Sequence, residues 1–452
     1  MEWFKKVTLF ALLYLGASAS KAIANDGSPQ ASKNAVENPD SPMCSLDKIV
    51  SSLQGCLITP ENPNKPQENQ IGIYYRWYKP FDINKPTLIF LNGGPGGQLE
   101  DYLPVFQNIE SSFKNINVLF YDQRGSGRSS YASEEIAHNG RIEHYRIQNH
   151  LKDMDDLRKK VIKQNKISIM GHSFGAHLAY GYAAQYPANV KEIYALNGST
   201  DYLGTLLQPL SKKKIVQEIF SQFTPSQIDS MLRKMEEGQV KDTDGKTLSY
   251  AQFLDFIRDG LKTHRGQAND ISEKITYFLK QKEDSLAGGS SGSGQKAAER
   301  FATTEVESGT GSRESKTVTL FIDCFELLTE SIVNGLPNSP TKISALNFRK
   351  KQCEPTFKSP YQETVFDAKN ALRAIKIPIL MVGGTSDVFI PPSVQMRDYA
   401  YLSPTNPQVS LVILQATGHD PIYEKPECLQ SVLKQFQAAT SKGFKLLNCE
   451  AM

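Results

Sequence analysis

Several absences narrow the reading of this 452-residue chain. It has no large charge excess of either sign: 51 basic and 48 acidic side chains leave a formal net charge of only +3. A nucleic-acid or polyanionic partner therefore has no electrostatic footprint here. No C-x-x-C pair occurs, which argues against zinc and thiol-redox chemistry. The apolar run over 7–17 is too short to span a bilayer comfortably. Nothing in the sequence asks for a metal or a cofactor.

That apolar run instead has the pattern of a targeting signal. Lys5 and Lys6 precede it, and Ala22-Ile23-Ala24 supplies a small-x-small cleavage site. The expectation is a signal peptide over 1–24 and a mature protein that is secreted or periplasmic, with no stable membrane insertion after cleavage. An uncleaved anchor is the competing reading. No cysteine sits just after the site, so a lipid anchor is not expected. The six cysteines, Cys44, Cys56, Cys324, Cys353, Cys428 and Cys449, fit an oxidising compartment. Six allow many connectivities; pairing of neighbours (44–56, 324–353, 428–449) is the simplest.

Short apolar runs over 87–91, 117–121, 167–170, 192–197, 377–382 and 409–414 read as buried strands, and 71–78 as a strand exposed on one side. Helical spacing over 150–164 and 427–440 alternates with them, which predicts a mostly parallel α/β sheet. Residues 44–56 read as a small stapled loop. The strand pattern stops over 201–374, where 215–223, 225–236, 250–261 and 271–279 read as helices. The organisation expected is a core over 25–200, a helical cap over 201–374, and the rest of the core over 375–452. Residues 287–316 are rich in glycine and serine and are expected to form a flexible loop.

The stretch on which the chemistry turns is Gly171-His172-Ser173-Phe174-Gly175, a G-x-S-x-G between a strand and a helix. Three fixed positions are weak alone; the strand–turn–helix context gives them meaning, because a sharp turn exposes a serine hydroxyl and holds it still. A base and an acid are expected on loops after later strands, in the order Ser, Asp, His. Asp387 follows the strand over 377–382, and His419 follows 409–414. Ser173 is thus the candidate nucleophile, His419 the base and Asp387 the acid that orients it. His172 and His177 are looser candidates for the base, and Asp420 for the acid. The oxyanion hole is expected to use the backbone N–H groups of Phe174 and of Gly94, in the glycine-rich turn over 92–97.

Gly93-Gly94-Pro95-Gly96 closely resembles the H-G-G-P-G loop of the proline iminopeptidase family of α/β-hydrolase serine peptidases. Asp122-Gln123-Arg124-Gly125-Ser126-Gly127-Arg128-Ser129 resembles that family's D-Q-R-G-x-G-x-S stretch. The resemblance implies an α/β-hydrolase fold, with helices on both faces of the sheet and a mainly helical cap insertion. Asn92 stands where the family usually has His, a change read as tuning of the loop. Asp122 and Arg124 read as paired charges that fix a loop. Ile322 to Glu326 resembles the I-x-C-x-E stretch of exported tripeptidyl aminopeptidases, with Cys353 as the implied partner of Cys324. Cys428 and Cys449 match paired cysteines near that branch's C-terminus. By the same resemblance Glu326 is the candidate receptor for the substrate's free ammonium; a structural glutamate is the plainer reading. The cap is otherwise poorly matched, which leaves substrate length and side-chain preference open.

The function implied is an exported serine aminopeptidase that acts on peptides with free N-termini through an acyl-enzyme. A carboxylesterase or lipase of the same fold is the alternative. A non-catalytic binding protein on this scaffold would be expected to lack one of Ser173, Asp387 and His419, and none is missing.

Overall fold

The computed structural model describes Cys44 and residues 52–129, 141–236, 240–242, 245–248, 250–280, 321–353, 357, 361–438 and 443–449. The expected signal segment (1–24) and the expected loop (287–316) lie outside these residues.

One nine-stranded sheet organises the chain, in the order β1-β2-β4-β3-β5-β6-β7-β8-β9. The strands are β1 (Gln54–Pro60), β2 (Gln70–Trp77), β3 (Thr87–Leu91), β4 (Asn117–Tyr121), β5 (Ile167–His172), β6 (Val190–Leu196), β7 (Ile379–Gly384), β8 (Val409–Leu414) and β9 (Gly443–Leu447). β1 and β2 are antiparallel to their neighbours; all pairings from β4 through β9 are parallel. Strands β3, β4, β5, β7 and β8 are buried along their whole length, so their side chains serve two cores alternately. Ile89, Leu119 and Ile169 enter one core, and Leu88, Phe90, Val118 and Met170 the other.

Helices longer than seven residues are numbered in chain order. α1 (Ile147–Asp156) and α2 (Phe174–Gln185) cover the first core, and α9 (Pro426–Gln437) covers the second. α8 (Pro392–Leu402) packs on β7 and β8. Between β6 and β7 lie α3 (Leu203–Phe220), α4 (Pro225–Glu236), α5 (Tyr250–Gly260), α6 (Ile271–Lys280) and α7 (Pro340–Phe348). α3 to α6 have their own apolar core, which includes Phe220, Met231, Phe253, Ile257 and Phe278. Val388, the residue after Asp387, is buried in that same core.

Two edges differ from expectation. Cys56 lies inside β1, not at the end of a loop. The buried face of β1 carries Gly55, Leu57 and Thr59, so it shows little apolar alternation; Tyr75 packs against Gly55 in place of a side chain there. β9 was not expected either: Phe444 and Leu446 are exposed, and the strand has no buried run to betray it. Disulfides join Cys44–Cys56, Cys324–Cys353 and Cys428–Cys449. No helix among the described residues is long and apolar enough to cross a membrane.

Arg124 and Asp122 do not pair with each other. Arg124 is buried and holds both carboxylate oxygens of Asp153 at 2.7 Å, on α1, and donates to the carbonyls of Glu61 and His144. Asp122 accepts the N–H groups of Leu99 and Arg128, and burial pushes its carboxyl up to about 7. Both residues tie loops to the sheet, through partners that the sequence does not reveal.

Candidate active site

β5 ends in His172, and α2 starts at Phe174. Ser173 between them has φ 54° and ψ −121°, a conformation that non-glycine residues rarely adopt. The surroundings enforce it. A Cβ on Gly175 would meet the Leu91 carbonyl oxygen at 2.1 Å, and one on Gly171 would meet the Gly175 carbonyl oxygen at 2.2 Å. Two glycines are what let strand, turn and helix come this close.

The loops after β7 and β8 bring Asp387 and His419 to this turn. His419 Nε2 lies 2.9 Å from Ser173 Oγ. His419 Nδ1 lies 3.0 and 2.9 Å from the two oxygens of Asp387. Asp387 Oδ1 also accepts the N–H groups of Phe389 (2.8 Å) and Ile390 (3.0 Å). Burial disfavours the charged form of His419, but the charge and hydrogen bond of Asp387 outweigh it and raise its pKa. A base so placed can take the Ser173 proton, and the carboxylate can stabilise the resulting imidazolium.

The glycine-rich turn lies against the same serine: a Cβ on Gly93 would sit 3.0 Å from Ser173 Cβ. Asn92 closes this turn from inside, through Nδ2 to the Gly97 carbonyl at 2.9 Å. The Gly93 N–H is taken by the Tyr102 hydroxyl at 2.9 Å. The N–H groups of Gly94 and Phe174 have no acceptor among the described residues, and that of Phe174 opens a helix. Both are donors that an oxyanion could use.

His172 and His177 do not reach Ser173 Oγ as bases. His172 Nδ1 lies 3.0 Å from the Tyr102 hydroxyl, and its Nε2 lies 2.7 Å from the His419 carbonyl oxygen. His177 Nδ1 faces the Ser173 carbonyl at 3.4 Å. Burial lowers the pKa of both rings. Asp420 lies 3.4 Å from His172 Nε2, and the Nδ1 of His419 is held by Asp387 instead. Sequence reading missed Asn197, at the end of β6, whose Nδ2 donates to Asp387 Oδ2 at 2.7 Å. Its signal was an asparagine at a buried strand end, here with φ 50°. It also missed Tyr102, which nothing in the sequence marks.

Glu326 is buried in the turn Asp323–Leu327 and accepts the Ile147 N–H, at the start of α1, at 2.9 Å. Burial pushes its carboxyl up to about 7. Asp323, on the same turn, is raised to about 7 by the same cause, against the opposing charge of Lys212. Lys212 Nζ stands 4.0 Å from the centre of the Phe389 ring, and Phe389 stacks on His419 at 4.9 Å. Glu326 thus faces α1, while Asp323 is linked through Lys212 to the surroundings of His419. Among the described residues, no group of His, Cys, Asp and Glu is arranged to hold a metal ion.

Such a sheet, with a serine at a strand–helix turn and a histidine and aspartate on later loops, defines the class of α/β-hydrolases, and residues 86–237 match the alpha/beta hydrolase fold family. The chain has the α/β-hydrolase fold. Its sequence likeness lies with the proline iminopeptidase-type peptidases within it. It is 30% identical over 213 residues to the proline iminopeptidase of Saccharolobus solfataricus, covering 46% of this chain and 63% of that protein. It is 31% identical over 172 residues to the proline iminopeptidase of Thermoplasma volcanium, covering 38% and 51%. The probable aminopeptidase YbaC of Bacillus subtilis is 23% identical over 358 residues, covering 78% and 89%. The chain thus spans less than two thirds of the length of the first two relatives.

Proposed function

We propose that the protein is an exported serine aminopeptidase that releases residues or short peptides from free N-termini. The observation that carries this reading is the hydrogen-bonded line Ser173 Oγ–His419 Nε2, His419 Nδ1–Asp387. Ser173 Oγ attacks the scissile carbonyl as His419 takes its proton. The N–H groups of Phe174 and Gly94 receive the oxyanion. His419 returns the proton to the leaving amine, and water then repeats the sequence on the acyl-enzyme. The peptidase likeness of the relatives supports an amide substrate. The three disulfides and the N-terminal targeting pattern support export.

The ammonium receptor belongs to the acidic turn 323–327, with Glu326 as first candidate and Asp323 beside it. A carboxylate in a covered site favours a charged N-terminus and rejects a blocked one. The esterase alternative draws on one observation: Glu326 already has a partner in the Ile147 N–H. A serine-directed phosphonate followed by peptide mapping tests the nucleophile; modification anywhere but Ser173 refutes it. Glu326→Gln and Asp323→Asn are compared on a free-amine peptide amide and a simple ester. A selective loss on the amide identifies the receptor, and equal losses on both substrates remove that role.

A further inference from the structure

The loops that carry Asp387 and His419 are fastened to the helical insertion as well as to the sheet. The chain leaving α5 passes over both. The Lys262 carbonyl accepts the backbone N–H of His419 at 2.6 Å. Glu424, in the short helix Pro421–Glu424, bridges the two sides: Oε1 accepts the Gly418 N–H at 2.8 Å, and Oε2 accepts the His264 N–H at 2.7 Å. The acid loop is gripped by the same segment. His264 Nδ1 lies 2.7 Å from Ser386 Oγ, and Gln267 Nε2 donates to the carbonyls of Ser386 and Leu261, each at 2.8 Å. The contact is tight: a Cβ on Gly418 would lie 2.2 Å from the Lys262 carbonyl oxygen. Val388 adds an apolar anchor in the core of the insertion.

We infer that residues 261–267 form a clamp that sets the position of the base and acid loops, with Glu424 as its bridging positioning residue. The inference rests on the proposed function for its kinetic consequence, not for its geometry. Glu424 does not touch Ser173, His419 Nε2 or the oxyanion donors in any described contact; it acts through the backbone on either side of it. Seven residues of the insertion thus stand between a docked insertion and an aligned His419. Displacement of the insertion would misplace the base even with Ser173 and its turn intact, and small misplacements of reacting groups are costly.

Glu424→Ala removes both acceptors. Glu424→Gln keeps one carbonyl oxygen but sets an amide N–H against the other donor. Three readings on the full-length mature protein test the clamp: the rate of Ser173 modification by a phosphonate per folded molecule, kcat and KM on a peptide amide, and the downfield proton resonance of His419 Nδ1–H held by Asp387. Glu424→Ala is expected to slow modification and kcat together by about ten- to hundred-fold, with KM changed less than about two-fold. Glu424→Gln should fall between it and the wild type. The imidazole resonance should broaden or vanish in Glu424→Ala while the fold, followed by circular dichroism, persists. An unchanged resonance and unchanged rate per folded molecule would overturn the clamp, as would a loss of activity that merely tracks a loss of folded protein. A wild type that shows the resonance but is not modified at Ser173 would sink the nucleophile and leave the clamp to be judged by the resonance.

Discussion

Asn197 offers the sharpest perturbation of the site, because its side chain and its backbone can be separated. Its Nδ2 donates to Asp387 Oδ2 at 2.7 Å and to the Gly418 carbonyl at 3.2 Å, and its φ is 50°. Asn197→Gly removes the side chain and keeps the backbone at ease. A buried hydrogen bond to a carboxylate is worth about 1.5–3 kcal/mol. Asp387 retains the Phe389 and Ile390 N–H groups on its other oxygen, so only part of that loss should appear in the reaction. A share of about 1.4 kcal/mol corresponds to about ten-fold in kcat/KM. Asn197→Ala loses the same hydrogen bonds but, unlike the glycine variant, keeps a Cβ in the left-handed region, and should be less stable than Asn197→Gly by about 1–2 kcal/mol. Asn197→Asp sets a second carboxylate against Asp387 in a buried site and should be the most damaging of the three. The assay is kcat/KM on a peptide amide together with urea unfolding of each variant. Full activity in Asn197→Gly would refute the claim that Asn197 orients the acid. Equal stability of the Gly and Ala variants would refute the backbone part.

Other perturbations follow from the same geometry. In the proposed reaction the neutral form of His419 is the base, and Asp387 raises its pKa above the ordinary imidazole value, so kcat/KM should rise with pH along a limb centred above about 6.5. Asp387→Asn should cut activity and move that limb to lower pH; a limb that stays put would separate Asp387 from the base. Glu326 is held to about 7 when folded, so the native state binds the extra proton between about 4.5 and about 7 and loses that advantage as pH rises through this window. The loss amounts to about 3 kcal/mol above neutrality. Glu326→Gln should therefore match the wild type near pH 5 and exceed it near pH 8 in unfolding midpoint; a variant weaker at the higher pH would show that the charge is stabilising. Gly175→Ala drives a Cβ to 2.1 Å from the Leu91 carbonyl oxygen and should cost about 3 kcal/mol or more, read as loss of soluble folded protein. A folded, active Gly175→Ala would contradict the close packing of the turn.

The parts of the fold legible in the sequence were those with a continuous apolar run. β3, β4 and β8 are buried on both faces, and their sequences have no polar interruption except at Thr87, Asn117 and Ser410, each at or next to a strand start. β1 and β9 were not legible, because β1 has Gly55 and Thr59 on its buried face and β9 is an exposed edge. In the site, Ser173, Asp387 and His419 could be named because each follows a readable strand. Their supports could not. Asn197, Tyr102 and Glu424 act across 190, 70 and 6 residues of chain, on a carboxylate, an imidazole and a backbone N–H. Such contacts leave no periodicity, and only the packed sheet brings them together. Glu326, named for its resemblance, has a partner just as distant in the chain, the Ile147 N–H 179 residues away, that no pattern in the sequence predicts.

As an aminopeptidase, this site would open peptides at a free N-terminus by way of Ser173. This activity is tested most directly by giving the purified mature protein, and its Ser173→Ala variant, matched peptide amides with free and with acetylated N-termini. Cleavage of the free set alone is expected, lost in the variant, with fragment masses reporting how many residues leave together. Turnover of simple esters with neither amide set cleaved would contradict it and favour the esterase.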